Sequence, residues 1–169
     1  MKILYQGSPG AYSHLAAHEL YPDSEIVACK TFDECFKRAE EDKNLKIIIP
    51  ESNRITGNIG IEYLIFKHRL NVHAEHFHRI EHNLLALPGS KLKDIKNVYS
   101  HAQALSQCSE FIKKNNISEN VRADTAGSAE LISKNKNKSD AAIASKLSAQ
   151  IYKLDIIASN IENEKGNVT

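Results

Sequence analysis

Several polar residues in the segment 97–108, NVYSHAQALSQC, are spaced as they would be in a binding site. A short apolar strand ending at Ser100 runs directly into a helix predicted to begin near His101. Ser100 is placed to act as the N-cap, Gln103 lies in the first turn, and Gln107 follows four residues later on the same face. Free N–H groups and the positive end of the helix dipole favour an anion there. The competing interpretation is a plain N-cap followed by solvated glutamines.

A second junction of this kind lies near the N-terminus, where a strand over 2–5 is followed by GSPGAYS (7–13) and a helix. Gly10 would let a ligand approach the backbone closely, and Ser13 adds a hydroxyl donor in the first turn. This helix start therefore also favours an anion. A tight turn without a ligand is the competing interpretation of the glycines.

Alternating strands and helices, the pattern of a parallel sheet, are predicted to position these junctions. In the first half the predicted strands are 2–5, 25–29 and 46–50, and the helices start near Ala11, Thr31 and Asn58. Thr31 is expected to N-cap its helix, with Glu34 completing a capping box. The strand KIIIP lacks alternation, so we expect it to be covered on both faces. The polar loop ESNRITGN follows at its carboxyl end, where ligands bind in open α/β sheets.

The pattern restarts after Pro88, which predicts a second α/β half of similar size. Its predicted strands are 98–100, 121–123, 141–145 and 156–159, and its predicted helices are 101–115, 125–134 and 146–152. We expect the tail after Ile156 to return to the first half.

The histidine-rich segment 71–89 is predicted to be an extended crossover between the two halves. A metal hypothesis rests on His73, Glu75, His76, His78 and His82. Alternate residues of a strand point to opposite faces, and no HxxxH helix is present, so this geometry favours no metal site. Exposed or core-edge histidines are the preferred interpretation.

Composition narrows the function classes. The 169 residues carry 22 Lys+Arg and 21 Asp+Glu, a net charge of +1, and no basic stripe with interleaved aromatics, which argues against nucleic acid as a partner. No apolar run approaches the length of a membrane span, and the N-terminus lacks the features of a signal peptide, so a cytoplasmic protein is expected. Because Cys29, Cys35 and Cys108 lack CxxC spacing, buried thiols are predicted rather than a disulfide framework or a zinc site.

Five motifs, in order and spacing, resemble the catalytic domain of prephenate dehydratase. They are GSPGAYS, IIPESNRITGNIG, SHAQALSQC, DTAGSA and the terminal NVT, and the resemblance covers essentially the whole chain. It implies a two-lobed α/β fold like that of type II periplasmic binding proteins, each lobe a mostly parallel sheet flanked by helices, with the active site in the cleft between lobes. We expect the first lobe to hold about 1–76 and 160–169, and the second about 77–159.

The resemblance also implies an activity. Prephenate would lose its ring carboxylate as carbon dioxide and its ring hydroxyl as water, giving phenylpyruvate for phenylalanine biosynthesis without any cofactor. Relatives of this kind are usually oligomers, and a homodimer is expected. Two alternatives stay open, namely an arogenate dehydratase and a non-catalytic module that binds small anions or amino acids in the same fold.

Matching the family's motifs residue by residue assigns the expected catalytic groups. Asn53 falls on the asparagine of the Glu-Asn-Ser motif, Ser100 opens the Ser-His-x-Gln motif, Gln107 is the glutamine before the cysteine, and Thr169 matches the threonine of Thr-Arg-Phe. We expect Thr169 to hydrogen-bond the departing hydroxyl group. His101 is the most plausible proton source by residue type, and a structural histidine at a helix start is its competing interpretation.

The match has two departures. Ser52 stands where the family has glutamate and Arg54 where it has serine, which makes this side of the site more positive and suits a dianionic substrate. The chain also ends at Thr169, without the Arg-Phe that normally follows and without the phenylalanine-binding regulatory domain. A terminal carboxylate at that point is expected to let the last residues fray and to weaken activity.

Overall fold

The computed structural model describes residues 1–169, which divide into two compact units. Unit 1 contains residues 1–8, 12–80 and 166–169, and unit 2 contains residues 9–11 and 81–165. Two α/β units were predicted, but the boundaries differ, because the chain enters unit 2 at 81 rather than about 77 and returns to unit 1 at 166 rather than about 160. No helix is both long and apolar enough to span a bilayer.

Unit 1 is built on a three-stranded parallel sheet with the order β2-β1-β3. Its strands are β1 (Lys2–Gln6), β2 (Glu25–Cys29), β3 (Leu45–Ile48) and the short hairpin pair β4 (Ser52–Asn53) and β5 (Gly57–Asn58). Its helices are α1 (Tyr12–Leu20), α2 (Phe32–Glu41) and α3 (Glu62–Lys67). The centre of the core is β1, where Ile3, Leu4 and Tyr5 are buried. The predicted parallel sheet of the first half is confirmed.

Three details of unit 1 differ from the predictions. The strand β3 is an edge strand whose isoleucines are only half-buried, so it is not covered on both faces. The loop after it forms the β4–β5 hairpin, and α3 begins at Glu62 rather than Asn58. Gly57 and Gly60 explain the late start, because both have positive φ angles that a helix does not accept.

The start of α2 largely follows the predicted capping box. Thr31 Oγ1 accepts the Glu34 N–H at 3.1 Å, as expected for an N-cap. The Glu34 carboxylate accepts the N–H of Lys30 at 2.8 Å instead of that of Thr31. The helix buries Cys35, Phe36 and Ala39 against the sheet. The N-cap is confirmed, and the reciprocal bond is displaced by one residue.

Unit 2 contains a five-stranded mixed sheet with the order β10-β6-β9-β7-β8. Its strands are β6 (Asn83–Ala86), β7 (Asn97–His101), β8 (Ser118–Arg122), β9 (Asp140–Ala144) and β10 (Asp155–Ala158), and its helices are α4 (Ala102–Gln107), α5 (Ser109–Lys114), α6 (Thr125–Asn135) and α7 (Lys146–Tyr152). The strand β7 is parallel to β8 and β9, whereas β6 is antiparallel to both β9 and β10. The predicted mostly parallel sheet is therefore half antiparallel in this unit.

The helix predicted over 101–115 is broken at Cys108 into α4 and α5. The Cys108 N–H bonds to the carbonyl of Leu105, three residues back, and its φ and ψ of −114° and 13° leave the helical region. Asn163, distant in sequence, fills the break: its Oδ1 accepts the Glu110 N–H at 3.1 Å and its Nδ2 donates to Ser109 Oγ at 3.0 Å. Because Asn163 is more than 50 residues away in sequence, the residues around Cys108 carry no pattern that predicts this break.

The predicted buried thiols and the predicted return of the tail to the first half are confirmed, and the predicted fraying of the last residues is wrong. Cys29, Cys35 and Cys108 are free and buried, as predicted. The segment 166–169 returns to unit 1, where His78 and Thr169 exchange two backbone hydrogen bonds of 2.8 and 2.9 Å and Ile80 donates to Asn167 O at 2.9 Å. The last residues are therefore paired rather than frayed.

Candidate active site

Asn53 and Thr169, which are 116 positions apart in sequence, meet in unit 1. The amide Nδ2 of Asn53 donates to Thr169 Oγ1 at 2.7 Å, and both residues are half-buried. The hairpin strand β4 carries the asparagine, and the segment paired with His78 carries the threonine. Two of the predicted catalytic residues are thus brought into direct contact.

The orientation of the Asn53 amide is fixed by its other end. Its Oδ1 accepts the backbone N–H groups of Ile55 at 3.0 Å and Thr56 at 3.2 Å, the hydrogen bonds of an Asx turn. Because Oδ1 is committed to these donors, Nδ2 must face Thr169. The Thr169 oxygen then acts as acceptor for Asn53, and its own hydroxyl proton is left to donate to another group.

Arg54 ties down the segment that carries Thr169. Its backbone N–H donates to Val168 O at 2.9 Å, and its exposed guanidinium donates to Gly166 O at 3.2 Å. A serine, the family's usual residue here, has a side chain too short to span that distance. The predicted contact of Arg54 with the substrate stays a prediction. The structure adds the contact with Gly166, which positions the segment of Thr169.

The glycine loop before α1 contributes a packing contact in unit 2. Gly10 has φ +94°, and its carbonyl accepts hydrogen bonds from Ser145 Oγ at 2.6 Å and Ser148 Oγ at 2.9 Å. An added Cβ would lie 2.5 Å from Ser148 Oγ. A glycine is therefore needed at position 10 because the backbone lies close to the start of α7. This agrees with the competing interpretation, a tight turn without a ligand. Its predicted substrate contact stays a prediction, as does that of Ser13, half-buried in the first turn of α1.

Gln107 is positioned in unit 2 by His82, a residue that sequence reasoning had placed among exposed or core-edge histidines. His82 is 3% exposed, and its Nε2 lies 2.8 Å from Gln107 Oε1. An amide oxygen only accepts, so Nε2 carries the proton and donates. The NH₂ group is then the donor end that Gln107 presents. Burial lowers the pKa of His82, which keeps the imidazole neutral, and the hydrogen bond that His82 donates to Gln107 partly opposes this shift.

The backbone around this pair is also fixed. The His82 N–H donates to Glu162 Oε2 at 3.1 Å, and Glu162, almost fully buried, pairs with Lys165 at 3.4 Å. The Gln107 carbonyl accepts the Asn163 N–H at 2.7 Å. Burial raises the pKa of the neighbouring Cys108 thiol to about 12, so it is not a reactive thiolate.

The expectation that Ser100 caps α4 is wrong. Strand β7 continues through His101, so the Ser100 side chain is fully buried and donates to Ile143 O at 2.7 Å. The N-cap is His101, whose Nδ1 accepts the Gln103 N–H at 3.3 Å, while the Gln103 side chain is exposed. The polar residues predicted to surround one helix start therefore point in different directions. The catalytic roles of Ser100 and His101 and the substrate contact of Gln103 stay predictions.

The sequence profile described as "Prephenate dehydratase" matches residues 3–169. Arogenate dehydratase 2 from Petunia hybrida is 38% identical over an alignment of 170 positions, which covers all of this chain and 43% of that protein. A protein from Arabidopsis thaliana named arogenate dehydratase/prephenate dehydratase 1, chloroplastic, is 39% identical over an alignment of 170 positions, which again covers all of this chain and 43% of that protein. The chain therefore spans less than half the length of these relatives.

Solved structures give the same fold. The prephenate dehydratase from Staphylococcus aureus superposes with a TM-score of 0.85 and 26% identity, covering 99% of this chain and 63% of that one. A structure titled as GqqA, a novel type of quorum quenching acylase, superposes with a TM-score of 0.91 and 32% identity, covering 99% of this chain and 61% of that one. The fold of the dehydratase domain that the resemblance implied is confirmed.

The expected cytoplasmic location is wrong by these comparisons, because several of the curated relatives are named as chloroplastic proteins. The family profile matches residues 3–169, and the relatives at 38–39% identity align along the whole chain. The chain belongs to the prephenate dehydratase family.

Proposed function

We propose that this chain catalyses the decarboxylating dehydration of prephenate to phenylpyruvate, a step of aromatic amino-acid biosynthesis. The observation that carries the proposal is the hydrogen bond from Asn53 to Thr169. Asn53 donates a hydrogen bond to the Thr169 oxygen. The hydroxyl proton of Thr169 then donates to the oxygen that leaves the substrate ring. Neutral hydrogen-bond donors suit this role, because the departing hydroxyl group needs to be held in position more than it needs a strong acid.

The proposed reaction balances without a cofactor. The bond from the ring carbon to its carboxylate breaks, and its electron pair moves into the ring as carbon dioxide leaves. The bond from the opposite ring carbon to the hydroxyl breaks, and its electron pair leaves on oxygen, which takes up one proton to become water. The product ring is aromatic. The task of Thr169 is to hydrogen-bond that oxygen as negative charge develops on it.

Further donors are proposed for the rest of the substrate. The Gln107 amide, oriented by His82, is proposed to donate to a substrate oxygen. Ser13, in the first turn of α1, is proposed to bind the side-chain carboxylate, because a helix start favours negative charge. Arg54 adds a positive charge close to the segment of Thr169.

Arogenate is the second candidate substrate. It differs from prephenate by an amino group on the side chain, and the names of the Petunia hybrida and Arabidopsis thaliana relatives favour it. The two candidates share the ring chemistry and differ only in the product, phenylpyruvate or phenylalanine.

The test is to incubate the purified chain with each substrate and to quantify phenylpyruvate and phenylalanine by chromatography. We expect turnover of at least one substrate and a loss of about 100-fold in kcat for Asn53→Ala, because an oriented donor is removed. Asn44→Ala, an exposed asparagine of the same unit, is the matched control and should keep full activity. Binding of both substrates without product would support the non-catalytic module instead.

We also propose a homodimer, as the resemblance implied. Unit 1 leaves the residues Phe66 and Phe77 exposed at 83% and 79%, which is unusual for residues of this type. Light scattering coupled to size exclusion should give twice the monomer mass of 18.9 kDa. A mass equal to one chain at micromolar concentration would contradict the dimer.

A further inference from the structure

We propose that Glu19, His76 and His78 form a binding site for a divalent transition-metal ion such as Zn²⁺. Each offers one ligand atom, and these three atoms lie within 4.8 Å of one another in unit 1. Two histidines and one carboxylate are a common ligand set for zinc when a fourth position is left to water. The site does not depend on the proposed reaction, because it rests on other side chains.

The distances fit an ion after a small adjustment. Glu19 Oε2 and His78 Nδ1 are 3.3 Å apart. Ligands that sit about 2.0–2.1 Å from a tetrahedral zinc ion are about 3.3 Å from each other. The widest separation, at most 4.8 Å, must therefore close by no more than roughly 1.5 Å. The side chains that would rotate to close it are those of Glu19 and His76, which are both exposed.

One ligand is held in place by its backbone. His78 exchanges two backbone hydrogen bonds with Thr169, and its side chain is 11% exposed, whereas that of Glu19 is 43% exposed. Glu19 lies at the end of α1, so its position is fixed by a helix. A fixed histidine with two accessible partners leaves a path for the ion and an open position for water.

The histidine-rich segment lacks the strand geometry that led us to predict no metal site, in which alternate side chains point to opposite faces. The stretch 71–78 adopts no regular strand, and the rings of His76 and His78 have centroids 6.0 Å apart. Irregular backbone brings the two histidines together, and Glu19 completes the set from a distant helix.

Calorimetric titration of the untagged chain with ZnCl₂ tests the proposal. We expect one zinc ion per chain, and at least 10-fold weaker binding for His76→Ala and for Glu19→Gln. His73→Ala is the matched control, because it removes an exposed histidine from the same segment, and its affinity should equal that of the wild type. Circular dichroism without zinc checks that each variant is folded.

Two results would overturn the site. The wild type could take up no zinc, in which case the contact between Glu19 and His78 is an ordinary ion pair. Alternatively, His73→Ala could weaken binding as much as His76→Ala does, and the histidine-rich segment would then bind metal without a defined geometry. A second readout is thermal unfolding, since zinc should raise the Tm of the wild type but not that of His76→Ala.

Discussion

Asn53 and Thr169 show how a neutral side chain is prepared for a chemical task. The Asx-turn bonds to Ile55 and Thr56 use the oxygen of the Asn53 amide, so its nitrogen faces the threonine. An asparagine without these bonds could rotate and offer its oxygen instead, which would compete for the threonine proton. Motif matching identified both residues, but their contact depends on the hydrogen-bonding partners of the end segment, which no local pattern reveals.

Replacing Thr169 tests the proposed hydroxyl donor. We expect Thr169→Val to lower kcat by about 100-fold with little change in KM, since the donor acts mainly on charge that develops during the reaction. Thr169→Ser keeps the hydroxyl and should retain most of the activity. Steady-state kinetics with the preferred substrate measure both variants. A loss of activity in Thr169→Ser together with full activity in Thr169→Val would contradict the proposal, because it would show that the methyl group, and not the hydroxyl, is needed.

His82 gives a second prediction at this scale, through its lowered pKa. The folded protein holds His82 neutral, whereas the unfolded chain protonates it near its ordinary pKa of about 6.5. The unfolded state therefore binds more protons in acid, and stability should fall as the pH drops below about 6.5 toward the folded pKa. His14, whose pKa burial also lowers, contributes in the same direction.

The measurement is the free energy of unfolding in urea at pH 7.5 and at pH 5. His82→Gln keeps an N–H donor for Gln107 without a titrating ring, so its stability should fall less between the two pH values than that of the wild type. If the free energy of unfolding falls as much between pH 7.5 and pH 5 in His82→Gln as in the wild type, His82 does not cause the loss of stability in acid.

At the scale of elements, the sequence predicted what depends on local pattern. The strands β1, β2 and β9 and the N-cap of α2 follow from apolar runs and a Thr-Glu spacing. The break between α4 and α5 and the buried Ser100 do not, because each is imposed by a partner distant in sequence, Asn163 in one case and Ile143 in the other.

The loop before α1 provides the prediction for an element junction. Gly10→Ala should destabilise the protein by about 2–4 kcal/mol, because it combines a strained positive φ with a Cβ that collides with Ser148. Gly89→Ala is the matched control in the same unit, with φ +77° and only the flexible end of Lys138 nearby, at 3.8 Å. The control should show only the cost of the backbone strain, and urea denaturation measures both variants. Equal destabilisation would exclude the collision.

At the scale of the whole molecule, the family and the two α/β units could be predicted from five motifs and the alternation of strands and helices. The boundaries could not, because they depend on where the tail pairs. Composition does not reveal that residues 166–169 close unit 1. Three backbone amides of unit 1, those of Arg54, His78 and Ile80, donate hydrogen bonds to this segment.

Deleting residues 166–169 tests this closure. The amides of Arg54, His78 and Ile80 lose their acceptors, so their hydrogen exchange should accelerate by at least 10-fold, whereas the central strands β7 and β9 of unit 2 should keep their protection. Activity should fall with the loss of Thr169, but exchange reports the structural effect independently of catalysis. If these three amides stay protected, unit 1 is closed by its own hairpin and loops, and the tail serves the chemistry alone.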